Sequence, residues 1–248
     1  MLGETRIGTS GFAYKEWVGH VYPGGATPEQ MLPLYAERLA AVELVAGLSR
    51  APGAELLESW AAAVPPGFQF AVKAPPRLGV DLSSGKNAVR AMGAFLEVAE
   101  HLGDALGPIL IQVPSTRTAD RHALARFLDA LPEGLRVAFD FRHRSWLDDA
   151  TLRLLSAHEA ALALTDDGEG APRLELTASF TYVRIRRDDD NLEAIDRWAE
   201  RLAVLTRRGV DVYAFVKHDR KGLAVDRAMR LASLLRTESS VGEQAMLS

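Results

Sequence analysis

Leu135-Arg136-Val137-Ala138-Phe139-Asp140-Phe141-Arg142-His143 is the stretch that decides the fold. In an extended strand, side chains alternate between two faces. Val137, Phe139 and Phe141 then share one face, and Ala138, Asp140 and Arg142 share the other. The bulky apolar face suits a covering layer of helices. The small and polar face suits the inside of a barrel. Pro132-Glu133-Gly134 stops the segment before it, and a helical pattern from Thr151 to Glu159 follows it.

The same unit recurs along the chain. Strand patterns run from Phe68 to Lys73, Pro108 to Val113, Ala161 to Thr165, Phe180 to Arg186 and Val212 to Lys217, with shorter ones at Arg6 to Gly8 and Val42 to Ala46. Helical patterns alternate with them. Thr27, Pro28 and Gln30 form the start signal of the first, and Pro33 is expected to break it. Later helices read as Glu55 to Val64, Asn87 to Leu102, the stretch with Leu124, Phe127, Leu128 and Leu131 on one face, Leu192 to Arg207, and Leu223 to Arg236. Asp190 with Glu193 opens the helix at Leu192, and Gly209 closes it. Residues 167–179 carry no helical pattern, so the sixth βα unit reads as degenerate.

Eight strands alternating with helices predict a single α/β domain, a (β/α)8 TIM-barrel-like fold over residues 1–236, with a loose polar tail at 237–248. An open doubly wound sheet is the alternative. Gly8-Thr9-Ser10-Gly11 fits neither G-x-G-x-x-G nor G-x-x-x-x-G-K-[ST], so it does not favour that alternative.

Composition bounds the chemistry. The chain has 248 residues, near the ~250 of one such barrel. It has no cysteine, which removes disulfides, thiolate catalysis and Cys-ligated metal centres. The net charge of −4 gives no global attraction to nucleic acid or anionic membrane. The start, Met1 to Gly8, is too polar for a secretory signal, and no apolar run reaches the ~20 residues of a membrane span. A cytoplasmic protein is expected.

Strand alternation predicts what shares the barrel interior: Glu43, Lys73, Gln112, Asp140, Arg142, Asp166, Arg184, Arg186 and Lys217. Five are cations and three are anions. Charges in a dry core cost several kcal/mol each, so these must pair or line a wet pocket. The cationic surplus calls for a small anionic ligand, a phosphate or a carboxylate. Catalysis falls to Glu43, Lys73, Asp140 and Asp166; ligand binding falls to Ser10, Phe12, Trp17, Gln112, Arg142, His143, Trp146, Tyr182, Arg184, Arg186, Lys217 and His218. The plainer alternative is a structural salt-bridge plug. Arg186-Arg187-Asp188-Asp189-Asp190 also reads as a solvated turn. His20, His101, His122 and His158 read as surface residues, and Trp60 and Trp198 as core.

Ile7-Gly8-Thr9-Ser10-Gly11-Phe12 with Tyr14-Lys15-Glu16-Trp17 and Tyr22-Pro23 is similar to the start of the YecE-like family, also called DUF72. Tyr35-Ala36-Glu37-Arg38 leading to Val42-Glu43, Phe70-Ala71-Val72-Lys73-Ala74-Pro75, Leu106-Gly107-Pro108 with Gln112, Asp140 to Trp146, and Tyr182-Val183-Arg184 extend the likeness over nearly the whole chain. The resemblance implies a TIM-barrel-like fold and no defined activity. Several positions depart from the family pattern. Val45-Ala46-Gly47-Leu48-Ser49 stands for Asn-Ser-Thr-Phe-Tyr, Arg186-Arg187 for His-Gly, and Lys217-His218 for Asn-Asn; a His after the Lys-Ala-Pro segment is missing.

Three readings follow. The first is a barrel that binds or transforms a small anionic metabolite. Arg184, Arg186 and Lys217 would hold the anion, Asp140 or Glu43 would act as base, and Lys73 would steady negative charge. A Schiff base at Lys73 would need a lowered proton affinity. A two-carboxylate glycosidase would draw on Glu43, Asp140 and Asp166. The second is a metal-dependent phosphodiesterase or nuclease using His143, His218, Asp166 and Glu43. The third is a non-catalytic binding protein. No cofactor, metal requirement or oligomeric state can be read from the residues.

Overall fold

Eight strands close into one parallel barrel in chain order: β1 (Thr5–Ser10), β2 (Ala41–Leu44), β3 (Gln69–Lys73), β4 (Leu106–Val113), β5 (Val137–Phe141), β6 (Ala161–Asp166), β7 (Phe180–Ile185) and β8 (Asp211–Val216). β8 returns to β1, with Thr5 opposite Val212 and Thr9 opposite Val216. The structure, a computed structural model, describes every residue except 45–52, 83–85, 169–171, 173, 188–191 and 247–248; the side chains of 86 and 238–246 also lie outside the description. The stretch Val45 to Ser49 and the cap at Asp190 therefore fall outside the described residues, as does the turn Asp188-Asp189-Asp190.

The helices are α1 (Pro28–Ala36), α2 (Ala54–Ala62), α3 (Pro76–Asp81), α4 (Lys86–Ala99), α5 (Arg121–Asp129), α6 (Asp149–Ala157), α7 (Leu192–Arg207) and α8 (Leu223–Met246). Asp120 caps α5 by accepting from Ala123 N–H at 2.9 Å, and Asp148 caps α6 by accepting from Thr151 N–H at 2.9 Å. None of the described residues between β6 and β7 is helical, as the sequence pattern there requires.

Two local expectations need correction. Pro33 does not break α1. Pro33 and Glu29, whose carbonyl loses its helical partner, both lie on the exposed side, where water can satisfy that oxygen. Pro76 occupies the first position of α3, a helix with no counterpart in the sequence reading, and needs no N–H there. Finally, α8 runs to Met246 instead of ending at Arg236. Nothing from 237 to 246 is a proline, and Gly242 is a single residue with a cost of about 1 kcal/mol.

Alternation sorts the core into two clusters. The small inner cluster contains Ala41, Ala71, Leu110, Ala138, Ala161, Ala163, Phe180, Tyr182, Tyr213 and Phe215. The larger outer cluster lies between barrel and helices and includes Val42, Phe70, Val72, Phe139, Val183 and Val216. Below the inner cluster, the barrel floor is polar. Arg136 lies 5.6 Å from the ring centres of both Phe180 and Tyr213 and donates to Tyr213 Oη at 2.6 Å and Asp211 Oδ2 at 2.7 Å. Tyr213 Oη donates in turn to Gln69 Oε1 at 2.5 Å.

Candidate functional site

Above the inner cluster, each strand contributes its last inward residue. Ser10 pairs in register with Glu43, and Gln112 with Asp140. Glu43 is fully buried. Both its oxygens are occupied. Oε1 accepts from Ser10 Oγ at 2.8 Å and Arg184 Nη2 at 3.0 Å; Oε2 accepts from Arg184 Nε at 2.9 Å and Tyr182 Oη at 2.9 Å. Burial alone would raise the Glu43 carboxyl. The Arg184 charge and these hydrogen bonds outweigh it and hold the group below the usual carboxylate range. Tyr182 is driven the other way, by burial and then by the charge of Glu43.

Arg184 bridges the two carboxylates. Its Nη1 donates to Asp140 Oδ2 at 3.2 Å. The same oxygen accepts from Gln112 Nε2 at 2.7 Å and Arg142 Nη2 at 2.7 Å. Three donors thus converge on Oδ2, and among the described residues none reaches Oδ1. Asp140 retains an acceptor that Glu43 lacks.

Lys73 and Arg186 complete the layer on different terms. Both are partly buried, and neither makes a hydrogen bond or ion pair among the described residues. Burial and then the positive charge of Arg184 depress the proton affinity of each. Glu43 and Asp140 partly counter this for both groups. Lys217 follows β8, two residues beyond inward-facing Phe215, and its N–H donates to Ile185 O at 2.7 Å.

Tyr14 belongs to this mouth, although the interior pattern gave no sign of it. Its hydroxyl donates to Ser10 O at 2.7 Å, and its ring stacks on exposed His218, with centres 4.5 Å apart and planes 8° apart. Burial, and after it the Glu43 charge, pushes its hydroxyl up to about 12. The signal was its place in the glycine-bounded loop after β1; the loop carries no periodicity that would aim the ring.

Between β5 and β6 the mouth is split. These strands pair only at Ala138 with Ala161 and at Phe139 with Leu162, whereas β7 and β8 pair at six positions. A cleft of about 480 Å³ opens there, and Asp140, Arg142 and Thr165 line it beside Leu147, Leu152 and Leu162. Another cleft, about 850 Å³ between α3 and α4, lies off the barrel axis and includes none of the charged mouth residues.

Five expected site residues are elsewhere or otherwise engaged. Asp166 shares the outward face of β6 with Leu162 and Leu164, and accepts from Trp198 Nε1 at 2.7 Å and Gly168 N–H at 3.1 Å. It anchors α7 instead of facing the barrel axis. Trp17 is buried and donates Nε1 to Asp219 O at 2.7 Å. Trp146 is buried flat on Phe141 at 4.6 Å and donates to Arg117 O at 2.9 Å. Phe12 packs edge-on against Trp60 at 5.7 Å. His143 Nδ1 accepts from Ser145 N–H at 3.2 Å as a cap for a short 3-10 turn. These aromatic and ring groups build the wall around the mouth.

The carboxylate and histidine ligands named for a metal are therefore not assembled. Asp166 faces outward and Glu43 is fully bonded. Among the described residues no group of three His, Asp or Glu side chains could hold an ion. No described helix is long and apolar enough to cross a membrane.

The barrel is similar to solved structures. A DUF72 family protein from Thermotoga maritima superposes with a TM-score of 0.77 at 24% identity, over 94% of this chain and 99% of that one. A DUF72 family protein from Enterococcus faecalis gives 0.74 at 18% identity, over 94% and 95%. At these identities the likeness speaks for the fold. No curated protein matches the chain. The family model described as "Protein of unknown function DUF72" matches residues 6–246, so nearly all of the strands and helices described above fall within it, and the chain belongs to the DUF72 family.

Proposed function

We propose that this barrel binds a small phosphorylated or carboxylated ligand at its C-terminal mouth and acts on it there. One observation carries the reading. Lys73 and Arg186 sit partly desolvated beside Arg184, and neither is bonded to a carboxylate. With Asp166 facing outward, the layer holds four cations, Lys73, Arg142, Arg184 and Arg186, against Glu43 and Asp140. Such a balance is costly in a partly dry mouth unless an anion joins it.

Roles follow from the bonding. Arg184 is committed to Glu43 and Asp140, so it shapes the mouth and supplies field. Arg186 and Arg142 are the arms that can fork onto a phosphate or carboxylate. Asp140 Oδ1 is the better candidate base, since Glu43 has both oxygens engaged and a depressed proton affinity. Stacked Tyr14 and His218 form one rim of the mouth.

The test is a thermal-shift screen of the purified protein against phosphorylated and carboxylated metabolites, short DNA and divalent metals. A ligand at 100 times its Kd adds about 2.7 kcal/mol. A shift that disappears in Arg186→Ala supports the reading. A shift retained in Arg186→Ala, or obtained only with DNA or a divalent metal, refutes it.

A further inference from the structure

Lysine and arginine both attract anions, but only lysine can lose its proton and become a nucleophile near neutral pH. At this mouth the arginines already serve the anion. Lys73 is next to both carboxylates closely enough that each alters its proton affinity, yet it bonds to neither. The reason is visible in the bonding. Glu43 is occupied by Arg184, Ser10 and Tyr182, and Asp140 Oδ2 by Arg184, Arg142 and Gln112. A lysine kept for structure would be paired. A lysine kept for charge alone would be served as well by a fourth arginine. Instead an unpaired amine ends β3 on the inward face, two residues above buried Ala71 and in the field of two guanidinium groups. Cationic neighbours and partial desolvation are the conditions that free a lysine lone pair.

We infer that Lys73 forms a Schiff base with a small anionic aldehyde or ketone held at the barrel mouth. This rests on the anion-binding reading above and names the ligand's reactive group. Nζ adds to the carbonyl carbon to give a carbinolamine. The carbinolamine then loses water, so the two amine protons leave with the carbonyl oxygen and a C=N bond replaces C=O. Asp140 Oδ1 is a carboxylate oxygen in the same layer with no donor bonded to it among the described residues, and it is assigned the proton relay.

The experiment is borohydride reduction of the whole protein with pyruvate or dihydroxyacetone phosphate, followed by peptide mass mapping. Lactate and glycerol 3-phosphate, which lack the carbonyl, run in parallel as thermal-shift ligands. A reduced adduct on Lys73 in preference to Lys15, Lys86, Lys217 and Lys221, lost in Lys73→Arg, is the expected result. Lys73→Met, with its fold checked by circular dichroism, repeats the loss if the arginine variant misfolds. No Lys73 adduct with either probe, or equal labelling of all five lysines, overturns the inference. Shifts with the carbonyl-free anions then report separately on whether anion binding survives.

Discussion

Arg184 holds Glu43 by two parallel bonds, Nε to Oε2 at 2.9 Å and Nη2 to Oε1 at 3.0 Å, inside a barrel where both side chains are almost fully buried. A buried pair is costly to break and cheap to replace whole. Arg184→Met should therefore destabilise the fold by about 3–5 kcal/mol, because a charged Glu43 is left without its counterion. Adding Glu43→Gln should recover most of that loss. Urea unfolding of both variants decides it. Equal instability of the single and double variants would mean the pair is not the unit described.

Acid should find the same carboxylate. Glu43 binds its proton less readily when folded than the ~4.3 of a free glutamate allows. Its contribution to stability is full above that value and is lost as pH falls through the lower, folded one. Stability of Glu43→Gln should thus depend less steeply on pH than the wild type below about pH 5. Parallel slopes for the two proteins would contradict the assignment.

Lys73 carries a penalty where Glu43 carries a gain, although folding lowers the proton affinity of both. The folded protein disfavours its charged form, so stability rises as pH climbs from the folded value toward the ~10.4 of a free lysine. At pH 7, Lys73→Met should raise Tm by on the order of 2 °C, water screening having already softened the penalty. The gain should vanish above pH 11 or so, where the amine is neutral folded or unfolded. A loss of stability at pH 7 would place Lys73 in a structural network instead.

Asp166 offers a contrast with the mouth residues. Asp166→Ala strands the indole N–H of buried Trp198 and should cost about 1–3 kcal/mol. Ligand affinity, measured by calorimetry well below the Tm, should be unchanged. A variant of normal stability with lost affinity would put Asp166 back in the site.

Gly79 lets α3 press against the strand that carries Gln112. A Cβ there would meet the carbonyl oxygen of Gln112 at 1.9 Å, and a backbone atom cannot swing away. Gly79→Ala should destabilise by about 3 kcal/mol and loosen the Gln112–Asp140 bond. Wild-type stability in this variant would show that α3 can shift freely.

Much of the mouth was legible because a strand repeats every two residues. Once small Ala71, Ala138 and Ala163 mark the inner face, Lys73, Asp140 and Thr165 follow by parity. The same rule places Asp166 outside with Leu162 and Leu164; reading it as inward ignored the alanines of its own strand. Trp17 and Trp146 are a different kind of miss. Their indoles are buried against carbonyls of Asp219 and Arg117, and nothing near either tryptophan in the chain announces an acceptor 202 or 29 residues away. Tyr14 escaped notice for the same reason, since its stacking partner His218 lies at the far end of the sequence. Periodicity reports which face a side chain takes. It does not report what waits there.

Ser10 precedes Glu43, but its other two partners, Tyr182 and Arg184, lie 139 and 141 residues further along the chain. At ~5–20 residues per second of synthesis, Arg184 leaves the ribosome on the order of ten seconds after Glu43. Through that interval the carboxylate stays in water, and the first strands cannot bury their upper ends. The guanidinium that seals the mouth thus arrives before the ring can close, since β8 must still follow and pair with β1. A nascent chain halted before Arg184 has six complete strands but lacks the charge that allows Glu43 to be enclosed.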